Sequence, residues 1–353
     1  MTGPAAPAGE YAVVVPTLGR PSLAACLRAM AESEGPRPAR VVLVDDRRDP
    51  AVPLTASVPP ALRPGTVVVR GGARGPAAAR NAGWRAAGDA PWIVFLDDDV
   101  VPGPTWADDL ALDLAGASVA TAGITARVEV PLPVDRAPTD WERNVAGLAE
   151  ARWITADMAY RRKALEAVGG FDERFRRAFR EDADLALRVL DAGWTLAQGR
   201  RTTAHPVRPA DRWVSVRLQA GNADDVLMTR LHGRDWWRRA GAPRGRLPLH
   251  LAVTSAGFAA AVCALTGRPR VATACAAGWL AGTAEFALAR ILPGPRLRDE
   301  IVTMALTSAL VPPAAVWHWL RGQVRHRATP AHRHRAVPPS PSAAVPAGER
   351  MPT

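Results

Sequence analysis

Apolar runs and amphipathic segments alternate along the first hundred residues, and this alternation predicts strands and helices in turn. Short runs typical of buried strands cover Tyr11–Val15, Val41–Val44, Thr66–Val69 and Trp92–Leu96. Segments whose apolar residues recur with helical spacing follow the first and third of these runs, at Ser22–Glu34 and Gly75–Ala87. Regular strand–helix alternation predicts an α/β fold with a doubly wound, mostly parallel sheet.

The pattern from Leu110 to Gln198 is mixed, but two segments in it are clear. Trp153–Tyr160 is strand-like and leads into a predicted helix at Arg161–Val168. Glu181–Ala192 has leucines at helical spacing and ends before Gly193, so it predicts another helix.

Three apolar stretches follow, at residues 247–266, 271–289 and 301–320. Each has about 18–20 residues, which is the length of helix that crosses the ~30 Å hydrocarbon core of a bilayer. They are rich in Ala and Gly rather than Leu, so their insertion is only modestly favourable. We expect C-terminal membrane-associated helices across residues 247–322, with buried helices of a second soluble domain as the alternative.

Clusters of arginine flank these stretches and limit how they can meet a membrane, because such clusters favour the cytoplasmic side. The clusters are Arg238, Arg239, Arg244 and Arg246; Arg290, Arg296 and Arg298; and Arg321, Arg325 and Arg327. Three complete crossings cannot place all three clusters on one side. A hairpin of the first two stretches can, with the third stretch re-entrant or lying in the interface near Pro312–Pro313.

Composition sets the remaining boundaries. We expect an α/β domain at 11–210, an amphipathic connector at 211–246 and disordered tails at 1–10 and 323–353. The formal net charge is +11, but the arginines gather beside the apolar stretches and in the tail, which disfavours a nucleic acid partner. The start of the chain lacks the features of a signal peptide, and the three cysteines lack metal-site spacing, which favours a reducing compartment.

Three consecutive aspartates, Asp97–Asp99, directly follow the run Trp92–Leu96 and carry the clearest chemical signal. Ligands of open α/β sheets bind just outside the carboxyl ends of the strands. Carboxylates crowded there repel one another unless a cation or protons neutralise them. A hard divalent ion, Mg²⁺ or Mn²⁺, would do so and would bring phosphates with it. An acidic turn after a strand is the alternative.

Further motifs stand at the ends of the other predicted strands and at two positions downstream. The whole set consists of Val15–Arg20, Val44–Asp46, Gly75–Gly83, Phe95–Asp99, Gly169–Glu173 and Glu181–Arg188. In order and spacing it resembles the inverting, nucleotide-sugar-dependent glycosyltransferases of family 2, over roughly residues 10 to 210. The resemblance implies the GT-A fold and an enzyme that transfers a sugar.

The resemblance implies a nucleotide-binding role for several residues. Pro16 and Thr17 would line the site of the base, and Asp46 would accept a hydrogen bond from a base N–H. Arg80 would face the nucleotide and its diphosphate, because its guanidinium suits phosphate oxygens. A turn residue is the alternative for Asp46, and a surface pair with Asp89 is the alternative for Arg80.

The resemblance also implies a metal site. Asp98 and Asp99 would form the metal-binding pair, with Asp99 the preferred direct ligand and Asp97 in support. The ion would bridge the two phosphates and stabilise the leaving diphosphate. His205 could complete the metal site or touch the diphosphate, and a structural histidine is the alternative.

Asp182 would be the general base, which deprotonates an acceptor hydroxyl that attacks the anomeric carbon opposite the leaving group. Its position at a helix N-terminus would lower its pKa, so Glu181 would help to keep it basic enough. Both could instead be first-turn acids favoured by the helix dipole.

The implied reaction moves a hexosyl or related sugar from a nucleotide-diphosphate sugar to a hydroxyl acceptor in a metal-assisted single displacement. The membrane segments favour a lipid-linked or cell-envelope glycan as acceptor, and a cell-membrane location with the catalytic domain in the cytoplasm.

The chain departs from the family pattern at Arg47–Arg48, which stand where the family often has Gly-Ser, so the identity of the nucleotide stays open. The Gln-x-x-Arg-Trp signature of processive members does not occur, which favours single transfer. A nucleotidyltransferase-type enzyme and an inactive transferase-like membrane scaffold are the alternative functions.

Overall fold

The computed structural model describes residues 11–50 and 52–332, so the expected tail at 1–10 and most of the expected tail at 323–353 lie outside it. The strands are β1 (Tyr11–Thr17), β2 (Arg40–Asp45), β3 (Thr66–Arg70), β4 (Trp92–Leu96), β5 (Val101–Pro102), β6 (Thr121–Glu129), β7 (Asp157–Arg161) and β8 (Thr195–Ala204). The first six helices are α1 (Ser22–Glu32), α2 (Pro76–Arg85), α3 (Trp106–Ala115), α4 (Asp140–Ala146), α5 (Arg162–Val168) and α6 (Glu181–Asp191). The others are α7 (Val214–Leu218), α8 (Asn222–His232), α9 (Trp236–Arg239), α10 (Leu247–Leu265), α11 (Pro269–Ile291) and α12 (Arg298–Arg325).

The strands form one mixed sheet in the order β3-β2-β1-β4-β7-β6-β8-β5. The strands β3, β2, β1 and β4 pair in parallel, which confirms the α/β sheet expected from the sequence. β7 then runs antiparallel between β4 and β6, and β8 is parallel to β6. The strand predicted from Trp153 begins only at Asp157, because residues 151–156 form turns and irregular backbone that lead into it.

The parallel strands are buried on both faces, which is why they read as continuous apolar runs. On one face Val13, Val15 and Leu43 pack against α1 and α3, and on the other Val14 and Val44 pack against α2 and α6. Helix α2 lies close to the sheet at Gly83, where a Cβ would come within 2.2 Å of Val14 Cγ1. This close packing fixes the start of α2 over the carboxyl ends of the strands.

Three helices of the described residues, α10, α11 and α12, are long and apolar enough to cross a membrane, judged by length and composition. Helices α10 and α11 form a hairpin in which a Cβ on Gly257 would be 2.9 Å from the Trp279 ring. At the base of the hairpin, the Arg246 guanidinium donates to the Glu285 carboxylate at 2.6 Å. The C-terminal apolar helices expected from the sequence are therefore present, and the third extends to Arg325.

Candidate active site

The carboxyl ends of β1, β2 and β4 meet at one edge of the sheet, as parallel pairing requires. Thr17 at the end of β1 donates a hydrogen bond from its hydroxyl to Asp98 Oδ2 at 2.6 Å. The other oxygen of Asp98 accepts from the Arg20 guanidinium at 2.8 Å. Asp98 is buried and both of its oxygens are engaged, so it connects the end of β1 to the loop after β4.

Asp46 follows β2 and shapes the loop that enters α2. Its two carboxylate oxygens accept hydrogen bonds from the backbone N–H groups of Arg74 and Gly75, at 3.2 and 3.1 Å. Gly75 has a φ of 96°, a left-handed conformation that favours glycine, and it is followed by Pro76 at the first position of α2. The carboxylate therefore holds the chain as it turns into the helix.

An open cavity of about 570 Å³ lies beside Asp46. Its lining consists of Leu18, Asp46, Arg47, Arg48, Ala73, Arg74, Gly75, Arg176 and Arg325. Arg47 forms a bidentate pair with Asp45 at 2.8 and 2.9 Å, and this pairing lowers the pKa of Asp45. Arg48, Arg176 and Arg325 have no ion-pair partner among the described residues. The cavity is therefore cationic and suits an anionic ligand.

Asp99 lies at the opposite end of the crevice, near the end of β8. His205 Nε2 is 3.8 Å from Asp99 Oδ1, too far for a hydrogen bond, and the buried His205 Nδ1 has no hydrogen-bond partner among the described residues. The Arg208 guanidinium pairs with the other oxygen of Asp99 at 2.7 Å. Burial raises the pKa of Asp99, and the charge of Asp97 raises it further. Excess negative charge beside an unbonded imidazole is an arrangement that a divalent cation would stabilise.

Arg80 is buried in the centre of the crevice, where it joins two acidic segments. Its guanidinium donates to Asp97 Oδ1 at 2.7 Å and to Glu181 Oε1 at 2.8 Å, and it lies 5.6 Å from the centroid of the Phe171 ring. Burial alone would lower the pKa of Arg80, but the charges of Asp97 and Glu181 outweigh it and raise the pKa. Arg80 is therefore a charged bridge between β4 and α6 and makes no surface pair with Asp89.

Glu181 and Asp182 begin α6 beside this bridge. Burial raises the pKa of Glu181 to about 7, and the neighbouring Asp182 contributes to the rise. Burial also raises the pKa of Asp182, although the backbone N–H of Ala183 donates to its Oδ1 at 2.7 Å and lowers it in part. The effect of burial therefore exceeds the lowering expected from the helix N-terminus. A carboxylate with a raised pKa is a better proton acceptor at neutral pH.

The start of α6 is fixed by Arg180, which precedes the two acids. Arg180 has a φ of 75°, a left-handed conformation that is uncommon for residues other than glycine. Its side chain donates to Asp225 of α8 at 2.8 Å and lies over the rings of Phe179 and Trp236. These contacts hold the strained backbone and direct Glu181 toward Arg80.

A second group of polar side chains lies further along α6. Asp184 Oδ1 is 2.8 Å from His232 Nε2 and 3.2 Å from His332 Nε2, while Arg188 donates to Oδ2. The possible ligand atoms of Asp184, His232 and His332 lie within 4.8 Å of one another, as in a metal site. Burial would raise the pKa of Asp184, but Arg188 and the imidazoles outweigh it and lower the pKa. Hydrogen bonds and the ion pair satisfy the Asp184 carboxylate, whereas the buried His232 Nδ1 has no hydrogen-bond partner among the described residues.

The structure brings together most of the residues singled out in the sequence. Thr17 donates to Asp98, and Arg80 links Asp97 to Glu181. Asp99 pairs separately with Arg208. Pro16 pairs with Val44 in the sheet, and neither Pro16 nor Thr17 lines the cavity beside Asp46. The sequence interpretation missed Arg20 and Arg208, although Arg208 comes only three residues after His205 and shares its position at the end of a strand.

Comparison with known proteins gives a match to a family model and matches to solved structures. Residues 12–168 match the family model for glycosyl transferase family 2. Among solved structures, the chain resembles the mannosyltransferase PcManGT from Pyrobaculum calidifontis in complex with GDP-Man and Mn²⁺. This match has 18% identity and a TM-score of 0.52, and covers 89% of this chain and 87% of that one. At this identity the likeness concerns the fold.

A second solved structure, GalNAc-T7 with UDP, GalNAc and Mn²⁺, matches at 17% identity with a TM-score of 0.45. This match covers 57% of this chain and 43% of that one. A search of curated proteins gives no match.

Proposed function

Residues 12–168 match the family model for glycosyl transferase family 2, and from this premise we propose an inverting, metal-assisted transferase that uses a nucleotide-diphosphate sugar. The observation that carries the proposal is the Arg80 bridge. It joins Asp97 to Glu181, at 2.7 and 2.8 Å, and so makes the aspartate triplet and the candidate base Asp182 parts of one site.

The donor nucleotide would occupy the cationic cavity beside Asp46. With its oxygens already bonded to the backbone of Arg74 and Gly75, the Asp46 carboxylate can still accept from a base N–H, since each oxygen has two lone pairs. Leu18, directly after β1, lines this cavity and would border the base, and the unpaired arginines would attract the phosphates. The diphosphate would extend from this cavity toward the aspartate triplet.

Asp99 and His205 would hold the divalent ion, Mg²⁺ or Mn²⁺. Two ligand atoms that each lie about 2.1 Å from one ion are roughly 3 to 4 Å apart, and the 3.8 Å between His205 Nε2 and Asp99 Oδ1 fits this range. Arg208 would either keep its ion pair with Asp99 Oδ2 while Oδ1 binds the ion, or give up that pair so that both oxygens can bind the ion. When bound, the ion would neutralise charge on the leaving diphosphate. Asp98, with both oxygens engaged, would position the loop.

Asp182 would act as the general base for the acceptor hydroxyl. Its raised pKa suits proton removal near neutral pH. The hydroxyl oxygen would form a bond to the anomeric carbon as the bond to the diphosphate oxygen breaks, and the proton would pass to Asp182. Glu181, held by Arg80, would keep negative charge beside the base, and Arg80 would position Asp97 at the phosphate end.

The apolar helices support a membrane location for the enzyme, with the catalytic domain on the cytoplasmic side. The ends of α10 and α11 that face the domain carry Arg246 and Arg290, the arrangement that cytoplasmic arginines favour. A transferase held at a membrane has ready access to lipid-linked or cell-envelope glycans. We therefore propose that the acceptor is a glycan of this class and that the enzyme transfers one sugar each time it binds an acceptor.

A donor screen tests the proposal. The full-length protein in detergent or vesicles would be incubated with GDP- and UDP-sugars, with Mn²⁺, Mg²⁺ or EDTA, and nucleoside diphosphate release would be measured. We expect release with one donor, dependence on the divalent ion, and a drop of about 10–100-fold in Asp99→Asn, because one metal ligand is weakened. Pyrophosphate release would indicate nucleotidyl transfer instead. No turnover with any donor and acceptor extract, despite donor binding, would favour the inactive scaffold.

A further inference from the structure

We propose that α12 lies in the plane of the membrane surface and does not cross the membrane, so that its outward face is a docking surface for lipid. The proposal rests on the membrane association put forward above, and it is independent of the transfer reaction. The occupant is the boundary between headgroups and acyl chains of one bilayer leaflet.

Both ends of α12 contact the catalytic domain. Near its start, the Glu300 carboxylate accepts a hydrogen bond from the backbone N–H of Asp140 in α4 at 2.8 Å. Near its end, a Cβ on Gly322 would be 2.8 Å from Ala223 Cα in α8. The last residue, Arg325, lines the cavity beside Asp46.

Helices α4 and α8 belong to the same folded unit. The Trp141 indole of α4 donates to the Arg208 carbonyl at 2.7 Å, just beyond β8. Asp225 of α8 pairs with Arg180, at the start of α6, at 2.8 Å. A crossing helix has its ends on opposite sides of the bilayer, but a single folded unit that holds both ends lies on one side. Since α12 has 28 residues and is therefore about 42 Å long, it must run along that unit.

The two faces of α12 differ in what they contact. One face is buried against α7, α8 and the α10–α11 hairpin, and includes Met304, Thr307, Ser308, Val311, Ala315 and Gly322. The opposite face carries a stripe of exposed residues at every third or fourth position: Val302, Leu306, Leu310, Pro313, Trp317, Leu320 and Val324. Trp317 is 64% exposed and Val324 is 68% exposed, which is an unusually apolar surface for contact with water.

The α10–α11 hairpin beside the stripe also has an exposed apolar surface, since Phe258 and Leu265 are 73% and 87% exposed. Arg321 lies at the edge of the stripe, where headgroup phosphates would be, whereas Arg325 lines the cavity beside Asp46. Trp317, on the stripe itself, is the residue type enriched at membrane interfaces. Lipid therefore satisfies both the apolar stripe and the arginine beside it, as it does for other helices that lie in an interface.

Depth measurement tests the orientation. Single cysteines replace Val302, Leu310 or Trp317 in the full-length chain with Cys263 and Cys275 changed to serine. Each carries a fluorophore in vesicles of phosphatidylcholine and phosphatidylglycerol with lipid-borne quenchers at graded depths. We expect all three labels at one shallow depth, about 5–10 Å into the bilayer. If α12 crossed the membrane, the labels at positions 302 and 317 would lie at depths that differ by about 22 Å.

The native Cys263, near the tip of the hairpin, provides the control when it is the labelled cysteine. We expect it to lie far from the depth of the three α12 labels. A steady change of depth from position 302 to 317 would overturn the proposal, as would labels shielded from both lipid and aqueous quenchers, which would indicate a second copy on the stripe. A Cys263 label beyond reach of every lipid quencher would instead contradict the membrane association itself.

Discussion

The two ends of the crevice differ in both charge and burial. At one end, exposed arginines surround the cavity beside Asp46. At the other end the acids are enclosed, with Asp98 and Glu181 only 2% and 3% exposed. An open cationic surface attracts an anion over a long range, whereas buried charges in fixed positions interact strongly with a reacting group. Under the proposed function, this difference would separate donor binding at the open end from sugar transfer at the enclosed end.

The strongest test of the enclosed end is Asp182→Asn. We expect turnover to fall by about 10²–10⁴-fold, because an amide cannot accept the proton of the acceptor hydroxyl. Nucleotide affinity, measured by titration calorimetry, should stay unchanged, since the cavity lies at the other end. The matched control is Asp89→Asn, an exposed acid on the loop before β4, which should retain turnover. Equal activity in the two variants would place the base elsewhere.

The Arg80 bridge should dominate the stability of the enclosed end. Arg80→Met leaves Asp97 and Glu181 without their common partner, and we expect the free energy of unfolding to fall by about 3–5 kcal/mol. Denaturant unfolding of the catalytic unit in the detergent-solubilised chain measures this loss. Arg85→Met, on the exposed side of the same helix, should cost about 1 kcal/mol or less. If the two variants lose the same stability, the bridge does not stabilise the fold.

Turnover should rise with pH as Asp182 loses its proton. Asp182 must be ionised to accept a proton, and burial raises its pKa, so the rise should come at higher pH than for an exposed aspartate. Burial also raises the pKa of the neighbouring Glu181, to about 7. Glu181→Gln removes a negative neighbour, so the pKa of Asp182 should fall and the rise in turnover should move to lower pH. A profile of turnover against pH at saturating donor checks both statements. An unmoved profile in this variant would mean that Glu181 does not act on the base.

The smallest expected effect is at the open end. Arg325→Gln should raise the KM for the donor by about 2–5-fold, because an exposed cation contributes little in water. The effect should shrink at high salt, and kcat should not change. Arg327→Gln, two residues beyond α12, is the control and should behave as the native chain. A change in kcat with unchanged KM would assign Arg325 to some other function.

The parallel half of the fold was predictable because its strands are buried on both faces. Tyr11–Thr17 and Trp92–Leu96 have buried residues on both faces, so each gives a continuous apolar run that ends only at the carboxyl end of the strand. In β8, near the edge of the sheet, exposed and buried residues mix, and β6 has exposed residues only at Arg127 and Glu129. Their pairing depends on contacts that local sequence does not encode.

The same contrast applies to the site. Residues at strand ends, such as Asp46 and Asp99, could be found because the position alone brings them to the crevice. The partners of those residues could not, because they depend on distant segments: Arg208 reaches Asp99 from beyond β8, and Arg80 reaches Glu181 from 101 positions away. Sequence order predicts which edge of the sheet a side chain reaches, but not which other side chain it meets there.

The contact between His332 and Asp184 has a consequence for how the protein is made. The ribosome produces α6 long before it produces His332, which is 148 positions later in the chain. Domains fold as they emerge during synthesis, so the helix that carries Asp182 lacks this hydrogen bond until all three apolar helices have left the ribosome. This contact of α6 is thus formed only after the three apolar helices have been synthesised, so completion of α6 depends on the C-terminal part of the chain.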